Sequence, residues 1–188
     1  MRHGRTAHNA ERRLLGRLDI PLDELGARQA AALAGVDDLA GARRVLSSPL
    51  ARARQTAEAL GPPVAFDERW QEIDYGPLDG CRLEDVPPEV WSGYRSDPEY
   101  APPGGESLGS VGRRVRAACA DLVDEARDSD IVVVSHVSPI KAAVAWALGM
   151  GDEVTWRLFL DTASVTRLGV APGPSLRGFN DVSGRPSS

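Results

Sequence analysis

The stretch Asp130-Ile131-Val132-Val133-Val134-Ser135-His136 constrains the fold more than any other part of the chain. Its run of β-branched apolar residues has no polar face, so a strand built from it must be covered on both sides. Helical periodicity on either side supplies the covers. Ser107 can cap a long helix to about Arg127, with Leu108, Val111, Val115, Ala118, Leu122 and Ala126 at helical spacing, and Pro139 to Leu148 predicts a second helix. Helix-strand alternation predicts an α/β fold with an open, largely parallel sheet, in which ligands meet the C-terminal ends of the strands. His136 stands at such an end.

A second strand end is predicted upstream. Arg43 to Ser47 reads as a short strand that stops at Ser48-Pro49, where proline suits the first turn of a helix. In that helix, Pro49 to about Leu60, the apolar positions Leu50, Ala53, Ala57 and Leu60 form one stripe. The stripe predicts Arg52 off the core face, just after a strand-to-helix turn that can itself bind an anion. Elsewhere, Asp23 is a candidate cap for a helix over Glu24 to Ala34, Val64 to Phe66 reads as a short strand, and Ala163 to Val170 and Leu176 to Asn180 read as strands that finish the sheet. Trp70 to Gly105 is crowded with proline, glycine and aromatic residues and reads as an elaborate loop region, with a short helix near Glu89 to Tyr94.

The opening Met1 to Asn9 holds two of the chain's 3 histidines, His3 and His8, beside Arg2 and Arg5. A neutral imidazole can attack phosphorus, and a neighbouring guanidinium can hold phosphate oxygens in its planar fork of donors. Taken alone, the stretch also reads as a solvated basic terminus. His136 and Arg52, delivered to one sheet edge from distant segments, give it a chemical context. His8 reads as a rim or surface residue.

Composition narrows the partners. At 188 residues with 42% hydrophobic content, the chain fits one domain, expected over residues 1–182 with a polar tail at 183–188. A net charge of −5 and a pI near 5.2 argue against nucleic acid as a partner. The apolar runs Ile131 to Val134 and Ala142 to Leu148 are too short to span a bilayer and no signal peptide precedes them, so a cytoplasmic protein with no membrane partner is expected. Cys81 and Cys119 read as free thiols, and without clustered Cys/His spacing neither a metal nor another cofactor is expected.

Five motifs carry a resemblance: Arg2-His3-Gly4 with Asn9; Ser47-Ser48-Pro49-Leu50-Ala51-Arg52-Ala53-Arg54-Gln55-Thr56-Ala57; Glu72-Ile73-Asp74-Tyr75-Gly76 with Gly80; Pro103-Gly104-Gly105-Glu106-Ser107; and Val134-Ser135-His136. In this order the chain resembles the histidine phosphatase superfamily, in the branch of cofactor-dependent phosphoglycerate mutases and small phosphomonoester phosphatases. The resemblance implies a three-layer α/β/α sandwich with a mostly parallel central sheet, phosphoglycerate mutase-like. It implies His3 as the nucleophile that becomes a phosphohistidine, with Arg2, Arg52 and His136 around the phosphate. Asn9, Thr6 and Gly16 would add hydrogen bonds, and Glu72 would be the general acid and then the base. Two arginines and two histidines can compensate the charge of the phosphoryl group, so the implied reaction is metal-independent. The substrate class is a small phosphorylated metabolite; the oligomeric state is left open.

The chain departs from the family pattern at Arg5, Leu15 and Val137, which bears on substrate identity more than on chemistry. The connection from Gly80 to Gly104 is shorter than in true mutases, which must shield the phosphoenzyme from water, and this points to hydrolysis. The competing expectations are a phosphoglycerate mutase-type transferase and a catalytically weak phosphate-binding protein of the same fold. Finally, the family's histidine triplet ends a buried apolar first strand, whereas here Met1 alone precedes Arg2. That strand is expected to be missing, with Met1 corresponding to an internal residue of a longer natural chain.

Overall fold

A computed structural model describes residues 1–36, 39 and 42–184. The predicted polar tail beyond residue 184 lies outside the described residues. Three parallel strands form the centre: β1 (Arg44–Ser47), β2 (Val64–Phe66) and β3 (Ile131–Val134), in the order β2-β1-β3. Val45 and Leu46 of β1 pair with Val132 and Val133 of β3 on one side and with Val64 and Ala65 of β2 on the other.

The helices are α1 (Ala7–Ala10), α2 (Glu24–Leu33), α3 (Ala51–Glu58), α4 (Pro88–Ser96), α5 (Leu108–Asp128) and α6 (Val137–Leu148). Alternation along β3 divides the interior into two cores. Val132 and Val134 pack with Leu33 of α2 and with Ala53 and Ala57 of α3. Val133 packs on the other face with Val111, Val115 and Ala118 of α5 and with Ala142 and Ala143 of α6. The fully apolar strand thus reflects helices on both faces, and the three-layer arrangement expected from the sequence is present.

The caps follow local chemistry. Asp23 accepts from the Gly26 amide at the start of α2, and Ser107 accepts from Ser110 at the start of α5. Helix α6 begins at Val137, earlier than Pro139 suggested, because a proline is tolerated anywhere in a first turn whose N–H groups have no partner within the helix. It ends on Gly149 in the left-handed region, at φ 63°.

Two expectations need correction. The strands expected to finish the sheet, β4 (Val165–Gly169) and β5 (Ser175–Asp181), form a separate antiparallel pair. Residues 1–3 occupy the place between that pair and β3. The amide of His3 donates to Ser135 O and that of Arg2 to Ser164 O, both at 3.0 Å, while Ala163 donates to His3 O at 2.9 Å. Arg2 also bridges Ser135 in parallel fashion. Residues 1–3 are thus paired through their backbone on both sides. Behind Met1, two cavities of about 160 and 340 Å³ share Ile131, Val133, Thr166 and Leu168 as lining, so β3 and β4 face each other across open space. The second correction concerns Arg52, which is fully buried rather than off the core. Among the described residues no helix is long and apolar enough to cross a membrane.

Candidate active site

The C-terminal ends of β1 and β3 and the segment of residues 1–3 meet at one edge of the sheet. His3 ends its segment with backbone bonds on both sides, and His136 follows β3 as the cap residue of α6. Their rings lie 5.0 Å apart between centroids, tilted by 56°. Both are buried.

His3 is held in one tautomer. Its Nδ1 lies 2.7 Å from the carbonyl oxygen of Gly4, which can only accept, so Nδ1 carries the proton and Nε2 presents a lone pair. Burial, then Arg52 and Arg2, push the His3 imidazole well below its ordinary range, which keeps it neutral. Gly4 fixes this geometry in turn: its amide donates to Thr56 Oγ1 at 3.0 Å, and a Cβ on Gly4 would lie 2.5 Å from Gly26 O. A Cβ on Gly26 would lie closer still to Arg5 O, at 1.9 Å. Only two glycines allow the His3 segment to cross α2 this closely.

Arg52 reaches the site from α3. Its Nη1 and Nη2 donate to the carbonyls of Leu18 and Gly16 at 2.8 and 2.7 Å. Burial pushes its guanidinium down to about 10, opposed by Glu72, Asp79 and Asp19, and it remains a cation at neutral pH. The loop that supplies these carbonyls is held by Asp79, which accepts from the amides of Gly16 and Leu18 at 2.7 and 2.8 Å. The anion-binding turn expected at the start of α3 is already occupied: the Ala51 amide donates to Asp19 and the Leu50 amide to Ser48 Oγ.

His136 Nε2 lies 2.7 Å from Ser48 Oγ, which joins the two strand ends directly. Burial, then Arg52 and His3, push this imidazole well below its ordinary range. His136 Nδ1 and Arg52 Nε are buried and have no hydrogen-bond partner among the described residues. Such atoms are rare in a closed interior, and an anion between them would satisfy them. Arg2 Nη1 donates to Leu160 O at 2.6 Å.

Glu72 sits opposite this cluster in chain order but beside it in space. Its Oε1 accepts from the amides of Ile73 and Ser138 at 2.9 and 3.0 Å, and Oε2 accepts from Val137 at 3.0 Å. The exposed N–H groups at the start of α6 are thus taken by a side chain of the protein. Arg114 fastens the same loop, donating to Glu72 O, Arg69 O and both oxygens of Glu106.

His3, Arg2, Arg52, His136 and Glu72 are therefore brought together. Of the expected hydrogen-bonding residues, Gly16 supplies its carbonyl to Arg52, and Thr6 and Asn9 form a reciprocal capping box for α1. Asn9 Oδ1 accepts from the Thr6 amide and hydroxyl at 3.1 and 3.0 Å. The sequence reading missed Ser48, Thr56, Asp79 and Arg114. Ser48 and Thr56 lie inside the Ser-Ser-Pro motif, which offered a signal; Asp79 and Arg114 offered none, because their partners are remote in the chain.

Known proteins show the same pattern. The family description histidine phosphatase superfamily (branch 1) matches residues 1–181. Bifunctional protein Rv2228c of Mycobacterium tuberculosis is 38% identical over 174 residues, covering 88% of this chain. The chain spans 48% of that relative's length. The probable phosphoglycerate mutase GpmB of Salmonella paratyphi C is 33% identical over 177 residues, covering 89% of this chain and 82% of the relative. Among solved structures, mycobacterial glucosyl-3-phosphoglycerate phosphatase Rv2419c complexed with VO3 superposes with a TM-score of 0.86 at 33% identity, covering 96% of each chain. A sheet edge bearing two buried histidines and a buried arginine, matched along nearly its whole length by these relatives, makes this chain a member of the histidine phosphatase superfamily, branch 1.

Proposed function

We propose that residues 1–182 act as one cytoplasmic, metal-independent phosphatase unit that hydrolyses a small phosphomonoester through a phosphohistidine on His3. The observation that carries this reading is the Nδ1 bond to Gly4 O, which leaves His3 Nε2 neutral and unprotonated as a nucleophile.

Nε2 attacks phosphorus, the bond to the ester oxygen breaks, and Glu72 gives the departing oxygen its proton. Its Oε2 accepts one backbone bond where Oε1 accepts two, so Oε2 is the oxygen suited to carry that proton. Arg2 and Arg52 compensate the charge spread over the equatorial oxygens, and His136 adds a donor from Nδ1. Water then attacks the phosphohistidine, passes its proton to Glu72, and inorganic phosphate leaves with His3 restored. Asn9, Thr6 and Gly16 shape the phosphate's surroundings.

The short connection between Gly80 and Gly104, with a 3-10 turn at Leu83–Asp85 and helix α4 inside it, supports hydrolysis over mutase chemistry by leaving the phosphoenzyme open to water. The 33% identity to a probable phosphoglycerate mutase favours the second reading, a phosphotransferase. Steady phosphate release from an aryl phosphate, abolished in His3→Ala, is expected. Exchange of the phosphoryl group between phosphoglycerates that outruns hydrolysis would establish the transferase, and ligand binding without turnover would establish a phosphate-binding protein.

A further inference from the structure

Ser48 is fully buried between the ends of β1 and β3, and its backbone is pinned before its side chain acts. Its amide donates to Val134 O at 3.0 Å, and its carbonyl accepts from Ser47 Oγ at 2.8 Å. Pro49 follows and favours extended backbone at Ser48.

The hydroxyl has two polar neighbours among the described residues. The Leu50 amide donates to Oγ at 3.3 Å across an ST-turn, and His136 Nε2 lies at 2.7 Å. An amide N–H can only donate, so Leu50 occupies a lone pair of Oγ and leaves its proton free. His136 Nε2 is the acceptor at hand for that proton. Were Nε2 itself protonated, Oγ would accept twice and its own O–H would be buried without a partner, at the full cost of desolvation. Burial, then Arg52 and His3, keep the ring from holding two protons. The single proton of the neutral imidazole therefore belongs on Nδ1, the buried atom with no partner among the described residues.

His3 is arranged the opposite way. Gly4 O takes its Nδ1 proton and leaves a lone pair on Nε2. Two neutral rings 5.0 Å apart thus offer one lone pair, suited to attack phosphorus, and one N–H, suited to donate to phosphoryl oxygens. With the other tautomer, His136 would meet those oxygens with a second lone pair.

We propose that Ser48 is a positioning residue that sets His136 in its Nδ1–H tautomer by donating its hydroxyl proton to Nε2, which readies Nδ1 to donate to the phosphoryl oxygens. The consequence for turnover rests on the phosphatase reading above; the tautomer itself does not.

The test uses the full chain, isotopically labelled on its histidine ring nitrogens and read by nuclear magnetic resonance at neutral pH without substrate. In the parent protein the His136 proton is expected on Nδ1, and a proton on Nε2 overturns the proposal. Ser48→Ala is expected to mix the two tautomers, and Ser48→Thr, which keeps the hydroxyl, to restore the parent pattern. A parent-like Nδ1–H tautomer in folded Ser48→Ala overturns the proposal. If the alanine variant does not fold, Ser48→Cys is read in its place: its weaker donor is expected to give a partial shift toward Nε2–H, and a parent-like pattern overturns the proposal. Calorimetric titration with inorganic phosphate is expected to show binding about tenfold or more weaker in Ser48→Ala, the size of one hydrogen bond to a charged group, and equal affinities overturn the positioning role. The kcat/KM for an aryl phosphate is expected to fall by a similar factor. Absence of phosphate release from any ester by the parent protein sinks the phosphatase reading instead, and the resonance and calorimetric readings then still decide the role of Ser48.

Discussion

The phosphate end of the site and the cavity beside Glu72 are built by different means. At the phosphate end, each side chain is fixed by backbone: His3 by bonds on both sides and by Gly4 O, Arg52 by two carbonyls, and Glu72 by three amides. In the cavity of about 100 Å³ that Tyr75, Trp91, Tyr94 and Trp156 line, side chains hold one another through aromatic edges, Tyr75 against Tyr94 and Trp91 against Trp156. Backbone anchoring fixes a reaction geometry to within fractions of an ångström, whereas side-chain packing can be exchanged residue by residue. The comparison teaches that the two regions can be altered separately.

The sharpest way to break that comparison is at the nucleophile. His3→Ala should lower kcat by roughly a thousandfold or more toward any ester, since it removes the nucleophile of the proposed mechanism. A residual rate within about tenfold of the parent would remove His3 from the chemistry. Next comes Glu72→Gln, expected to lower kcat by about a hundredfold to ten-thousandfold with esters of poor leaving groups, and less with an aryl phosphate that needs no proton. Equal losses on both kinds of ester would contradict its role as acid.

Gly26→Ala tests the scaffold rather than the chemistry. Its new Cβ would meet Arg5 O at 1.9 Å, so the strain should lower stability by about 1–3 kcal/mol, read as a lower urea midpoint, with activity falling as the His3 segment shifts. A graded effect comes from pH. Both imidazoles lie well below their ordinary 6.5 in the folded protein. Between the folded value and 6.5 the unfolded chain binds more protons, so stability present above pH 6.5 is lost as pH falls below it. Urea midpoints that stay level between pH 7 and pH 5 would contradict neutral, buried histidines. The smallest change belongs to the cavity: Trp91→Leu should alter kcat/KM for an aryl phosphate by less than about tenfold, while a loss comparable to that of His3→Ala would erase the distinction between the two regions.

This division also explains what could be read in the sequence. His136 was legible because an apolar strand announces its own end, and the Ser-Ser-Pro junction announces another. The burial of Arg52 was not, since apolar periodicity ranks only apolar side chains, and the carbonyls of Gly16 and Leu18 that accept from Arg52 come from a distant loop. The separate pairing of β4 with β5 was also hidden, because short apolar runs encode a strand without naming its partner. The cavity was least legible of all: its walls come from residues 73–94, 108, 137–141 and 155–156, brought together only by packing.

The hold of α6 on Glu72 has a further use. The amides of Ile73, Val137 and Ser138 each end on the carboxylate that is assigned the catalytic proton. Protonation weakens an acceptor, so these three N–H groups are built-in reporters, and their nuclear magnetic resonance shifts and hydrogen-exchange rates should follow the charge on Glu72 directly. A titration watched at Val137 and Ser138 would record the state of the acid in the resting protein, with no substrate present and no turnover required.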